Sequence, residues 1–261
     1  MELQALTLSV CEVAKRAGLY IKEEREKFSL ASVERKHAHD YVSYVDKGSE
    51  HLIVEALTKL LPEAGFITEE GSATYHDEQY CWVVDPLDGT TNFIHQYAPY
   101  AVSIALCKGR DIIVGVVYEI CADECFYAWQ GGGAHLNGKP IHVSNSHIED
   151  ALLSLQLPYN SDAYKSTILS LIGQFYGHAA SVRMCGSAAM SLCYVAAGRL
   201  DAYAEKFIGQ WDYMAGALIV KEAGGYVTNY EGHDDFTQGN NVVATNGLIH
   251  EDLVNAISLS K

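Results

Sequence analysis

The sequence predicts a layered α/β or α+β protein, with sheet and helix in both halves of the chain. Three observations carry that expectation. Apolar runs of strand length, separated by glycine and asparagine turns, crowd residues 66–130. Strand-like and helix-like segments alternate from residue 151 onward. The chain begins and ends on amphipathic helical patterns. Sheets with helices laid on their faces bury such a mixture compactly.

The elements follow in order. Leu3, Leu6, Val10, Val13, Ala17 and Ile21 recur at steps of three and four, which is one face of a long helix. Residues 28–39 are polar, lack a clear period and contain Lys36; they fit a hairpin or a mobile loop. Asp46 opens a second helix, with Leu52, Ile53, Ala56, Leu57 and Leu60 as its apolar face and Pro62 and Gly65 ending it. Strands are expected over 66–68, 80–85, 100–108, 111–119 and 124–130. Gly109-Arg110 reads as a tight hairpin, and Gly131-Gly132-Gly133 and Asn137-Gly138 as further turns. The best internal boundary is 143–150, dividing an N-terminal α+β part (1–145) from a C-terminal α/β part (146–261). Beyond it come a strand at 151–157, a helix near 161–176, a strand at 181–185, a helix at 187–197 and a strand at 201–204. A helix over 212–223 is closed by Gly224-Gly225, and strands at 226–228 and 241–244 precede a terminal helix at 249–259.

At 261 residues the chain can bury a sizeable core as one large domain or two small ones. No apolar run approaches the roughly 20 residues that span a bilayer. The N-terminus lacks the basic head, apolar middle and cleavage site of a signal peptide, so a cytoplasmic protein is expected. Eighteen basic against 33 acidic residues give a net charge of −15, which disfavours direct binding to nucleic acid or anionic membrane. An anionic substrate would then need positive charge supplied locally, as a bound cation does. The seven cysteines are odd in number and mostly sit in apolar segments, as expected of buried free thiols. Cys121 and Cys125 have no second pair at zinc-ligand spacing.

The stretch Asp85-Pro86-Leu87-Asp88-Gly89-Thr90-Thr91-Asn92-Phe93 follows an apolar strand pattern. Asp-Pro and Asp-Gly are ordinary turn dipeptides. Two acids leaving one buried strand exceed what a turn needs. Pro86 has no N–H, so the strand ladder is expected to stop there. Gly89 permits a sharp turn and a close approach to a ligand. The two carboxylates then converge beyond the strand's carboxyl end, where open sheets place ligands. Thr90, Thr91 and Asn92 add hydroxyls, an amide and backbone donors suited to an anion. Upstream, Ile67-Thr68-Glu69-Glu70-Gly71 sets paired acids after another short strand; downstream, Gln210-Trp211-Asp212 sets an acid at a helix start. Alone, Glu69 and Glu70 read as a solvated loop and Asp212 as an N-cap. If Glu69, Asp85, Asp88 and Asp212 meet, each pair of charges about 4 Å apart repels by about 4 kcal/mol at an effective dielectric near 20. Such a group needs cations or protons, and an all-oxygen donor set selects Mg²⁺, Mn²⁺ or Ca²⁺ over zinc.

Together these motifs closely resemble those of the inositol monophosphatase family. Asp85–Phe93 fits its first signature throughout. The stretch from Trp211-Asp212 through Ala215-Gly216 to Glu222-Ala223-Gly224-Gly225 fits its second. Glu69-Glu70 matches its upstream acid pair, and Lys36, Asp40, Val42, Ser43 and Asp46 match a further element. The resemblance spans essentially the whole chain and implies a layered αβαβα sugar-phosphatase fold in a homodimer. It implies Mg²⁺-dependent hydrolysis of a phosphate monoester by direct attack of water, without a covalent enzyme intermediate. Two or three Mg²⁺, with Mn²⁺ as a substitute, would sit on Glu69, Asp85, Asp88, Asp212 and the Leu87 carbonyl. Glu69 and Thr90 would position and activate the water, and Asp46 would hold Thr90. Backbone N–H groups of Gly89 and Thr90 would cradle phosphate. Asp88, Gly186, Ser187, Ala188, Glu205 and Asp212 would contact the substrate, and Lys36 would lie on a mobile loop. Lithium sensitivity is a family trait.

The chain departs from the pattern at Leu155-Gln156-Leu157-Pro158-Tyr159, where many bacterial relatives carry a Thr-Gly-Phe-Pro-like turn, and the segment between Glu70 and Asp85 is short. The Thr91-Asn92-Phe93 sequence favours inositol monophosphatase over nucleotide 3′-phosphatases of the superfamily, which usually carry a charged residue there. Fructose 1,6-bisphosphatase and histidinol-phosphate phosphatase are the remaining relatives to separate. Enzymes with an aspartyl nucleophile in a D-x-D motif are excluded, because the acids here are three apart. A protein-binding regulatory factor is the alternative of another class, since one bacterial relative also acts in transcription antitermination.

Overall fold

A computed structural model describes residues 2–28, 33–37, 40–157 and 161–260; the side chains at 33–37, 40–43, 161–163 and 238 lie outside that description. Helix α1 (Leu3–Lys27) leads to a short antiparallel pair, β1 (Val33–His37) and β2 (Asp40–Ser43), which places the backbone of Lys36 on a strand; residues 29–32 and 38–39 lie outside the described residues. Helix α2 (Tyr44–Leu60) follows. Together α1 and α2 cover one face of a seven-stranded sheet. Its strands are β3 (Gly65–Thr68), β4 (Tyr80–Asp88), β5 (Ala101–Lys108), β6 (Asp111–Glu119), β7 (Glu124–Trp129), β8 (Ala134–Leu136) and β9 (Lys139–Pro140). They lie in sequence order, with β3 parallel to β4 and the rest antiparallel. A five-residue helix α3 (Thr90–Ile94) leaves the end of β4.

A second sheet has the order β11-β10-β12-β14-β13. It contains β10 (Leu152–Leu155), β11 (Ser181–Arg183), β12 (Ala202–Lys206), β13 (Tyr226–Thr228) and β14 (Asn241–Thr245). Helices α5 (Ala188–Ala196) and α6 (Gln210–Glu222) fill the space between the two sheets, and α4 (Ser161–Phe175) and α7 (His250–Leu259) cover the outer face of the second. The layers therefore run αβαβα, as the resemblance implies.

Side-chain size explains the spacing of these layers. On β5, Val102, Ile104 and Leu106 point to α1 and α2, whereas Ala101 and Ala105 point to α6. On β6, Gly115 lies under α6, and a Cβ there would fall 2.5 Å from the Ala215 carbonyl oxygen. Small residues thus let α6 sit almost on the sheet, and α6 carries Asp212.

Three expectations are corrected. The β4 ladder does not stop at Pro86 but resumes at Asp88. Strands β8 and β9 follow the glycine turn, where only turns were expected; they are too short to show a period. Helix α6 starts at Gln210 with Gly209 as its N-cap, so Asp212 is a first-turn residue and not the cap itself. Of the cysteines, Cys11, Cys81, Cys107, Cys125 and Cys193 are buried, Cys185 is half-buried and Cys121 is exposed, all as free thiols. Among the described residues no helix is long and apolar enough to cross a membrane.

Candidate active site

The register of β4 against β5 shows why two acids leave one strand. Asp85 pairs with Ser103 and Asp88 with Ala101, so Pro86 and Leu87 together face only Val102. This is a bulge, with the proline at the place where a ladder donor is not needed. In an unbroken strand, residues three apart point to opposite faces. The extra residue restores parity, and both carboxylates turn to the side of the sheet where Ala101 and Ser103 point, toward α6. There the ligand oxygens of Asp85, Asp88 and Asp212 all lie within 4.8 Å of one another.

Each acid is held. Asp85 Oδ1 accepts from the Leu87 N–H at 2.9 Å. Asp88 accepts from the Ser187 hydroxyl and from the N–H groups of Ala188 (3.3 Å) and Ala189 (2.9 Å) in the first turn of α5. Asp212 Oδ2 accepts from the Gly209 N–H at 2.6 Å, and the Ser103 hydroxyl donates to the Trp211 carbonyl at 3.1 Å, tying the start of α6 to β5. Glu69 follows β3 and faces Asp85 closely enough to raise its pKa. Burial, then Glu69 and the neighbouring aspartates, push Asp85 well above the usual carboxylate range; Asp212 is raised in the same way. Burial lifts Asp88 to about 6 even though its hydrogen bonds pull the other way. Packed this closely, the carboxylates favour a cation among them. All the donors are hard oxygens, so the group fits Mg²⁺ or a similar divalent cation.

Thr90 follows the N-cap Gly89, whose φ is +86° and whose Cβ, if present, would lie 3.1 Å from the Pro99 carbonyl oxygen. Thr90 Oγ1 is 3.1 Å from Asp46 Oδ1 and 3.0 Å from the Leu87 carbonyl. Asp46 is buried in the first turn of α2, so the sequence-predicted pair meets. Gly186, Ser187, Ala188 and Glu205 line a cleft of about 260 Å³ with Asp88, Gly89 and Asp212. A second recess of about 220 Å³ adjoins it and is lined by Glu69, Asp85, Leu87, Asp88, Thr90 and Asp212. Glu205 accepts from the Tyr203 hydroxyl at 2.7 Å, yet burial still raises its pKa to about 8. The structure thus gathers every sequence-predicted site residue except Lys36, whose side chain lies outside the described residues; so do Pro158 and Tyr159 of the divergent turn.

Sequence reasoning missed several supports. Glu50, fully buried in α2, accepts from the Thr68 hydroxyl (2.9 Å) and from the N–H groups of Glu70 and Ser72 (both 2.8 Å), clamping the turn that carries Glu69. Nothing local to Glu50 signals this. Phe207 lines both recesses at a φ of +65°. A non-glycine residue in that region stores strain, a feature common at functional sites. Tyr203 could have been found from its i, i+2 spacing to Glu205 on one strand.

Residues 2–260 match the sequence profile of the inositol monophosphatase family. The chain belongs to that family. An inositol-1-monophosphatase of Mesorhizobium japonicum is 36% identical over 259 residues, 98% of this chain and 97% of that protein. The Nus factor SuhB of Escherichia coli is 39% identical over 236 residues, 89% of this chain and 88% of that protein. Among solved structures, the extragenic suppressor protein suhB of Bartonella henselae superposes with a TM-score of 0.92 at 36% identity, covering 97% of this chain and 98% of that one. An inositol monophosphatase from Anabaena superposes at 0.89 with 32% identity, covering 100% and 98%. Family membership and the acidic centre agree, and the relatives divide between two kinds of name.

Proposed function

We propose that this family member is a Mg²⁺-dependent phosphate monoester hydrolase that prefers myo-inositol 1-phosphate. One observation carries the reading: Asp85, Asp88 and Asp212 converge within 4.8 Å, and Asp88 and Asp212 line a polar cleft that Glu205 also lines. Glu69, Asp85, Asp88, Asp212 and the Leu87 carbonyl would hold the cations. When bound, Mg²⁺ stabilises charge on phosphoryl oxygens and acidifies a coordinated water.

The chain's own groups do the rest. Glu69 takes the proton of the attacking water. The Thr90 proton is committed to Asp46 or Leu87, so an Oγ1 lone pair remains to accept from that water and aim its oxygen at phosphorus. The first N–H groups of α3 have no intrahelical acceptor and suit phosphate oxygens. Tyr203 occupies one Glu205 oxygen, leaving the other to accept a polyol hydroxyl. The same reading makes the protein a cytoplasmic homodimer inhibited by Li⁺, to be checked by sedimentation and by activity at millimolar Li⁺ with limiting Mg²⁺.

The test is phosphate release, with and without Mg²⁺, from myo-inositol 1-phosphate, fructose 1,6-bisphosphate, adenosine 3′,5′-bisphosphate and histidinol phosphate. A Mg²⁺-dependent kcat/KM highest for inositol 1-phosphate is expected. Preference for another ester keeps the hydrolase and discards the substrate. A second reading, a protein-binding regulatory role, is favoured by the relatives named Nus factor SuhB. It gains if no ester is hydrolysed.

A further inference from the structure

Gln156 sits where the sequence departs from the family turn, and none of the groups that bind cations or orient water uses it. Its side chain is 4% exposed, yet both ends of its amide are engaged. Nε2 donates to Ser154 Oγ at 2.9 Å and to Ser191 Oγ at 3.1 Å. Oε1 accepts from the Gly186 N–H at 3.3 Å. Ser191 Oγ in turn donates to the Ser187 carbonyl at 2.8 Å. From the other side, Asn92 Nδ2 donates to the Cys185 carbonyl at 2.9 Å. Gly186 is therefore gripped between two amides. Its φ is +69°, and a Cβ there would lie 2.9 Å from Asn92 Oδ1. A buried amide is costly unless paired, so the network is satisfied only while the 185–187 turn keeps this conformation. Gln156 and Gly186 both line the cleft beside Glu205.

We propose that Gln156 is a positioning residue that sets leaving-group selectivity. Through the Gly186 N–H it fixes the wall against which the alcohol part of the ester packs. The proposal rests on the phosphatase reading above. The phosphate end depends on it less: Asp88 accepts from the Ser187 hydroxyl of this turn, but its N–H donors Ala188 and Ala189 lie in a helix turn buried in the core. Loss of Gln156 therefore loosens the polyol wall far more than it disturbs phosphate and Mg²⁺ handling.

The test uses the full chain, saturated with Mg²⁺, as wild type and Gln156→Leu. It reads KM for myo-inositol 1-phosphate and, as a probe with no leaving group, the inhibition constant of inorganic phosphate. With an acceptor lost from a part-buried N–H, KM rises about tenfold while the phosphate constant and the half-saturating Mg²⁺ stay within about twofold. An unmoved KM overturns the proposal. So does a phosphate constant that rises in step with KM, because that marks general damage. If the Leu variant does not fold, Gln156→Asn carries the same test: its shorter side chain withdraws the oxygen from Gly186 but stays polar, and the same split is required. An inactive wild type sinks the phosphatase reading and this proposal together; an active wild type with an unmoved variant sinks this proposal alone.

Discussion

One inserted residue on β4 decides where Asp88 points. Without the bulge, Asp85 and Asp88 would face opposite sides of the sheet, and no cation could use both. The cost is a crowded set of acids: burial raises the pKa of Asp88, and burial with repulsion from neighbouring acids raises those of Asp85 and Asp212. Asp88→Asn tests this directly. An amide oxygen in the place of Oδ2 still accepts from the Ser187 hydroxyl and the Ala189 N–H, only the long Ala188 contact at Oδ1 is lost, and one buried charge disappears. The expected result is no Mg²⁺-dependent turnover, with a metal-free melting temperature no lower than wild type. An active or unfolded variant contradicts it.

Among elements, α6 has little tolerance, because it carries Asp212 and its backbone lies on Gly115. Gly115→Ala puts a methyl 2.5 Å from the Ala215 carbonyl, which forces helix and sheet apart. Overpacking of this kind costs about 1–3 kcal/mol, or a fall in melting temperature of about 2–12 °C for a chain of this size. Because Asp212 moves with the helix, the half-saturating Mg²⁺ should rise too; a stability loss without that rise would separate α6 packing from the site. Helix α7 has a different sensitivity. His250 is 7% exposed, with Nε2 2.9 Å from the Thr228 hydroxyl and Nδ1 3.0 Å from the Thr245 hydroxyl. Burial lowers its pKa from 6.5 to about 4. The folded state binds this proton less well than the unfolded one. Its contribution is therefore present above about pH 6.5 and is lost as pH falls through about 4, on the order of 3 kcal/mol in all. Between pH 7 and 4.5 wild type should lose more stability than His250→Gln in urea melts; equal losses would exclude His250 as the source. Comparing the two proteins cancels the carboxylate contributions.

For the whole molecule, a net charge of −15 is superimposed on this buried acidic centre. Asp88 is raised to about 6 and Glu205 to about 8, and Asp85 and Asp212 are also raised well above the usual carboxylate range. Here the folded state binds protons more tightly than the unfolded chain. The metal-free protein should hold this stability at low pH and lose it as pH rises from about 4.5 through about 8. Mg²⁺ bound at these acids would replace the protons. Its stabilisation grows with the logarithm of concentration and should be larger at pH 8 than at pH 6. Thermal melts over a Mg²⁺ series at both pH values check this. A melting temperature at pH 8 that ignores Mg²⁺ would rule out the cation site.

Local pattern by itself determined much of this protein. The apolar period placed α1, α2 and the central strands within a few residues, because burial acts on each element's own face. Asp85–Phe93 announced a ligand site because two acids, a proline and a glycine have separate backbone consequences within nine residues. Tertiary structure decided what depends on partners distant in sequence. The bulge exists only against β5, so sequence logic stopped the strand at Pro86. Glu50 looks like an ordinary helix acid until the turn after β3 folds onto it. Gln156 gains its meaning only when β10 brings it beside Gly186. The convergence of Asp212 with Asp85 and Asp88 depends on a glycine in β6 that lets α6 settle onto the sheet. Each of these is a contact between segments far apart in sequence, and local propensity carries no information about such contacts until the core has formed.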